Sequence, residues 1–203
     1  IVGNQLTANS GTGSCTLTAT MAGDSNYNDV TSTPANTVNL AKANQAALTL
    51  TGVPGTAAYQ SMFTVTPGGG SSSNSLVVST TGVCTAAGND ITMTSGTGTC
   101  TVKVNRLGDS NYNDAIEVSA SATATKINQA LLTLTGVPGT AAYQSMFTVT
   151  PGGGSSSNPL VVSTAGVCSA VGNDITMTSG TGICTVKVNR AGDSNYNDAI
   201  EVS

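Results

Sequence analysis

The chain has 203 residues, no His and no Trp, with 8% charged side chains and a formal net charge of −4. Six Lys and Arg residues cannot build the basic face that nucleic-acid binding needs. The lack of His removes Ser-His-Asp and Cys-His catalysis, and no apolar run approaches the roughly 18 residues that span a bilayer as a helix.

Internal repetition organises the chain. Residues 48–119 align with 132–203 without a gap, at an offset of 84. The two stretches differ at six positions: Ser75/Pro159, Thr81/Ala165, Thr85/Ser169, Ala87/Val171, Thr99/Ile183 and Leu107/Ala191. The opening residues align with the end of a further copy, Cys15 against Cys100 and Gly23 against Gly108. That gives the C-terminal part of one copy (1–41), a complete copy (42–125) and a copy lacking its last residues (126–203). A unit of 84 residues can bury a modest core and exceeds the roughly 20–45 residues of most solenoid repeats. Each copy is therefore expected to be a small domain joined to its neighbour by a short linker.

Taken in chain order, the first copy ends in "GDSNYND" at 23–29, a heptapeptide that returns at 108–114 and 192–198. The seams are placed at Ala41–Gln45 and Thr125–Gln129, where "VNLAKANQ" and "ATATKINQ" pass between copies with Lys42 and Lys126 at the junctions. Such short linkers predict an extended, semi-rigid array. Within the complete copy apolar residues alternate. Leu48 and Leu50 share one face of "ALTLTG", and Ile91 and Met93 one face of "DITMTS". Cys100, Val102 and Val104 share a face of "CTVKVN", and Ile116 and Val118 continue the pattern. A period of two with one apolar face is a half-buried strand. The punctuation "GVPGT", "PGGGSSSN", "AAGND", "SGTG" and "GDSN" falls between the runs. The reading is all-β, with about seven short strands per copy in tandem antiparallel sandwiches of immunoglobulin type.

Each later copy has one cysteine pair, Cys84/Cys100 and Cys168/Cys184, both on strand-like segments. Two readings are open: a disulfide per copy, or two buried free thiols. A zinc site lacks ligands, with two Cys per copy and no His. In the disulfide reading Cys15 would pair with a residue before Ile1, and the compartment would be oxidising.

The heptapeptide also admits two readings. Asp109, Asn111, Asn113 and Asp114 have the oxygen-rich spacing of a calcium loop. Two carboxylates are few for a cation that takes six to eight oxygens. The alternative is a metal-free turn, in which Gly108 and Gly192 supply backbone freedom and Tyr112 and Tyr196 fold back onto their own sandwich. No cofactor is expected. "PGGGSSSN" has neither the Lys nor the following helix of a phosphate loop and reads as a flexible hairpin connection. Asp90, Asp109, Asp114 and Glu117 all lie near turns or strand ends, so enzymatic activity is not expected. Lys103 and Glu117, with Asn89, have the composition of an internal Lys–Asn amide. Alternation puts Lys103 on the polar face, which favours a solvated cross-strand pair.

With these residues placed, "AYQSMFTVTPGGG…GVCSAVGNDITMTSGTGICTVKVNRAGDSNYNDA" resembles the bacterial Ig-like repeats of large secreted and surface proteins. The matching parts are Tyr59, Phe63, Val65, Cys84, Cys100, Gly108 and Tyr112, and the same set 84 residues on. The resemblance implies an extracellular or cell-surface stalk, spacer or fibre whose partners are neighbouring repeats and, in a filament, identical chains. The second hypothesis is an adhesin module that binds a glycan or protein through its loops. The six differences create no aromatic platform, which favours the spacer. No membrane insertion is expected in these residues.

Overall fold

A computed structural model describes residues 4–203. Every regular element among them is a β-strand, in keeping with the many β-branched Thr and Val residues, and no helix is long and apolar enough to cross a membrane. Leu48–Thr51 pairs antiparallel with Thr66–Gly69, Leu48 opposite Gly69. The same pairing returns in Leu132–Thr135 with Thr150–Gly153. Cys84–Ala87 and Asp90–Met93 form a hairpin, Ala87 opposite Asp90. Its tight turn uses Gly88 at φ 64°, a conformation that costs little only for glycine. Met62–Thr64 borders this hairpin, and Met146–Thr148 borders its counterpart of Cys168–Val171 and Asp174–Met177. A further sheet orders Thr56–Ala58, Val118–Thr125, Thr99–Asn105 and Val77–Gly82. The result is an all-β chain of several small sheets, consistent with a β-sandwich architecture.

The alternation read in the sequence sets the core. Thr99–Asn105 buries Cys100, Val102 and Val104, and Ile91 and Met93 lie beneath the hairpin. In the last copy Val149, Cys168, Ile175, Met177 and Val186 form the cluster, with Leu134, Phe147 and Val162 packed on it. One expectation is corrected. Ile116 does not continue the buried face: it is 89% exposed and precedes the strand, which runs Val118–Thr125 and buries Ala122 and Ala124. The core face of this strand carries small side chains, Ala122 and Ala124.

The chain divides into two compact units. One comprises residues 1–53, 64–79 and 102–120; the other comprises 54–63, 80–101 and 121–203. Each contains one of the two seams.

Candidate functional site: the heptapeptide joint

The heptapeptide folds on itself in all three places. Asp109 Oδ1 accepts the amides of Asn111 and Tyr112 at 2.9 and 3.0 Å. Asp114 Oδ1 accepts the Gly108 amide at 2.7 Å. Asp193 and Asp198 repeat these bonds with Asn195, Tyr196 and Gly192, and Asp24 and Asp29 with Asn26, Tyr27 and Gly23. The ring closes so tightly that a Cβ on Gly108 would lie 2.3 Å from the Tyr112 carbonyl oxygen. Short polar side chains capping their own backbone are a local device, which is why identical heptapeptides give identical turns.

Asp109 Oδ2 reaches outside the turn and accepts the amide and hydroxyl of Ser73 at 2.8 and 3.1 Å. The Ser73 amide first, then the Asn111 amide, holds the Asp109 carboxyl down at about 2, below its ordinary 3.8. Asp193 is lowered in the same way by Ser157 and Asn195. A depressed carboxylate stabilises the fold above its ordinary value, and that contribution is lost as pH falls through about 2. Asp109→Asn would turn an amide donor toward the Ser73 amide. We expect this variant to melt several degrees below the native chain at pH 7 and level with it near pH 2, as followed by circular dichroism.

Three of the four calcium candidates, Asp109, Asn111 and Asp114, accept hydrogen bonds through side-chain oxygens. Both Asp109 oxygens, Asp114 Oδ1 and Asn111 Oδ1 accept N–H groups. The Asn113 side-chain amide donates to Asn44 Oδ1 at 3.0 Å. Among the described residues no group of three or more acidic, Cys or His side chains is placed to hold a metal.

The two later turns also span a seam each. Ala43 donates to the Asn111 carbonyl, and Asn113 donates to the Ala43 carbonyl, both at 2.9 Å. Asn111 Oδ1 accepts the amide of Gly11, in the "SGTG" loop of the preceding copy, at 2.9 Å. The second seam repeats the pattern. Ile127 donates to the Asn195 carbonyl at 3.1 Å, Asn197 donates to Ile127 at 2.9 Å, and Gly96 donates to Asn195 Oδ1 at 3.0 Å. Glycine is needed at the receiving position. A Cβ would lie 2.7 Å from Asn111 Cα at Gly11 and 2.9 Å from Asn195 Cα at Gly96. Both glycines are buried, whereas Gly180, the counterpart in the last copy, is exposed.

At the second seam the tyrosine reaches beyond its own copy. The Tyr196 ring stands edge-on to Tyr59 of the preceding copy, with centroids 5.7 Å apart and planes at 81°, a favourable aromatic geometry. Tyr59 is presented by a sharp turn in which Gln60 adopts φ 62°. Tyr112 and Tyr196 are half-buried, and Tyr27 is 75% exposed. Tyr143, the counterpart of Tyr59 in the last copy, is 58% exposed.

The "PGGGSSSN" loop is also corrected, from a flexible connection to a clamped one. Thr66–Gly69 is a strand, and the rest is pinned by side chains the sequence reading passed over. Gln45 Oε1 accepts the Ser71 and Ser72 amides, while its Nε2 donates to the carbonyls of Arg106, Leu107 and Asn113. Arg106 donates to the carbonyls of Gly69, Ser72 and Asn74. Buried Ser72 donates to the Leu107 carbonyl at 2.6 Å. Gln129, Arg190 and Ser156 repeat the clamp. One linker glutamine thus ties the seam, the loop and the heptapeptide together. The signal for it was a polar residue closing both linkers and an Arg two residues before each of the later heptapeptides.

Cys84 is bonded to Cys100 and Cys168 to Cys184, each pair with Cα atoms 5.4 Å apart. Cys15 is free and half-buried on Ser14–Leu17. Lys103 and Glu117 form an ion pair at 3.0 Å with both side chains over a third exposed, and Lys187 with Glu201 does the same. This is the solvated cross-strand pair, worth about 0–1 kcal/mol.

No protein-family model, no curated protein and no solved structure matches the chain.

Proposed function

We propose that the chain is part of a structural array, a stalk, spacer or fibre of a large bacterial surface or secreted protein. In this reading its copies are tandem Ig-like sandwiches. The observation that carries it is the joint: both seams use the same Asn–Gly hydrogen bond and the same backbone ladder around Ala43 or Ile127. A joint reproduced at each seam fixes one copy against the next, which a spacer needs and an independent binding module does not. The disulfides fit an oxidising compartment, hence export. The near-identity of the copies fits selection for length.

The test is to display arrays of two, four and six copies on a surface and measure the height of a terminal tag. Height rising in proportion to copy number is the expected result. A height that stops rising with copy number, or retention of a soluble glycan or protein ligand by a two-copy array, would replace the spacer with the adhesin reading.

A further inference from the structure

Leu160–Gly166 pairs antiparallel with Cys184–Arg190 along one edge, and that is its whole sheet. Opposite residues of an antiparallel pair alternate between those that exchange hydrogen bonds and those that do not. Two observations fix which are which. Val167 donates to the Ile183 carbonyl at 3.1 Å, and Val188, opposite Val162, spends its main-chain groups on Val202 at its far side. The set bonded to Cys184–Arg190 is therefore Val161, Ser163 and Ala165, while Val162 and Thr164 turn their N–H and C=O groups to the outer edge. Among the described residues no hydrogen bond reaches the main-chain groups of Val162 or Thr164. The complete copy carries the same outer strand, since Val77–Gly82 ends its sheet beside Thr99–Asn105.

An open edge is a template for another strand, and proteins blunt such edges with Pro, Lys, bulges or very short strands. Other edges of the last copy are treated in this way. Thr150–Gly153 contains Pro151 and is closed at Gly153 by Arg190. Cys168–Val171 has four residues, and its Cys168 carbonyl is capped by the Thr164 hydroxyl at 3.3 Å. Leu160–Gly166 has seven residues, none of them charged and none Pro. Pro159 precedes the strand and falls by the same alternation on the inner set, so its missing N–H leaves the outer edge intact. Val161, on the solvent face, is 48% exposed.

We propose that this edge docks a second copy of the same chain, the two strands lying antiparallel about a two-fold axis at Ser163. Val162 exchanges main-chain bonds with Thr164 of the second copy, and Leu160 with Gly166, which supplies the affinity. On the solvent face Val161 meets Ala165 and Ser163 meets Ser163. A larger residue faces a smaller one and no charge faces another. This self-match is what selects a second copy over an unrelated strand. Val77–Gly82 repeats it about Ser79, with Val77 meeting Thr81. The edge requires only folded copies, so it stands whether the array is a spacer or an adhesin.

The test follows the full chain by sedimentation velocity and amide hydrogen exchange from micromolar to millimolar concentration. The average mass is expected to rise, with exchange about tenfold slower at Val162 and Thr164 and unchanged at Ser163, Ala165 and across Cys184–Arg190. A chain carrying Ser79→Lys and Ser163→Lys is expected to stay monomeric, because like charges directly opposite repel. So is a chain carrying Ser79→Glu and Ser163→Glu, and an equal mixture of the two should associate again. Ser163 lies opposite Lys187, so the Glu chain gains a neighbouring cation and carries the test alone if the Lys chain fails to fold. Monomeric native chain at millimolar concentration would overturn the proposal. So would association that survives in the Glu chain, or association that leaves exchange at Val162 and Thr164 unchanged and so places the contact elsewhere.

Discussion

Replacing Cys84 and Cys100 together with alanine is expected to cost the complete copy about 3 kcal/mol, the loop-closure value for a short crosslinked loop. The bond joins residues 16 apart in sequence, and the loop it closes contains the Asp90–Met93 strand. For a domain of this size about 4–8 °C of melting temperature goes with each kcal/mol, so the transition should fall by roughly 12–24 °C. Differential scanning calorimetry of the full chain reads this directly, and reduction of the native chain, which also opens Cys168–Cys184, should lower the transition at least as far. The pair Cys168→Ala and Cys184→Ala should be less damaging, because Cys184 is only half-buried and less packing is lost with its sulfur. A fall of only a few degrees for Cys84→Ala with Cys100→Ala would mean that the hairpin is held by packing rather than by the crosslink.

Gly96→Ala and Gly180→Ala test the joint against its own internal control. The two glycines occupy the same place in successive copies, yet a methyl at Gly96 would collide with the Asn195 backbone, whereas one at Gly180 would meet only the Tyr143 Cβ at 3.6 Å. Neither glycine has a positive φ, so backbone strain does not separate them. Forcing atoms into a packed contact costs about 1–3 kcal/mol, and Gly180→Ala should stay within about 0.5 kcal/mol of the native chain. Exchange of the Ile127 and Asn197 amides, which form the ladder at that seam, should accelerate about tenfold in the first variant and remain unchanged in the second. Equal behaviour of the two variants would remove the joint as a packed contact.

Much of the β-structure was legible because a strand with one buried face writes its period into the sequence. Thr99–Asn105 is the clearest case, with Cys100, Val102 and Val104 inward and Thr101, Lys103 and Asn105 on the other face. Ile116 misled because hydrophobicity was followed rather than position. The strand continues with Ala122 and Ala124, whose small size carries little pattern but permits close packing. The turn was legible from Asp109, Gly108 and Asp114, whose capping is local. The joint was not, since nothing in "SGTG" announces that Gly11 or Gly96 will receive an asparagine from about 100 residues away. Gln45 and Arg106 were hidden for the same reason. Their partners are main-chain carbonyls and amides of a loop, and a main-chain partner leaves no mark on composition.

The groups described as meeting across each seam are an asparagine amide, main-chain N–H and C=O groups and, at the second seam, two phenol rings. All are neutral. A junction held by ion pairs would soften as the Debye length shrinks from about 30 Å at 0.01 M salt to about 3 Å at 1 M. These contacts have no net charge to screen, so their geometry should be the same in fresh water and in brine.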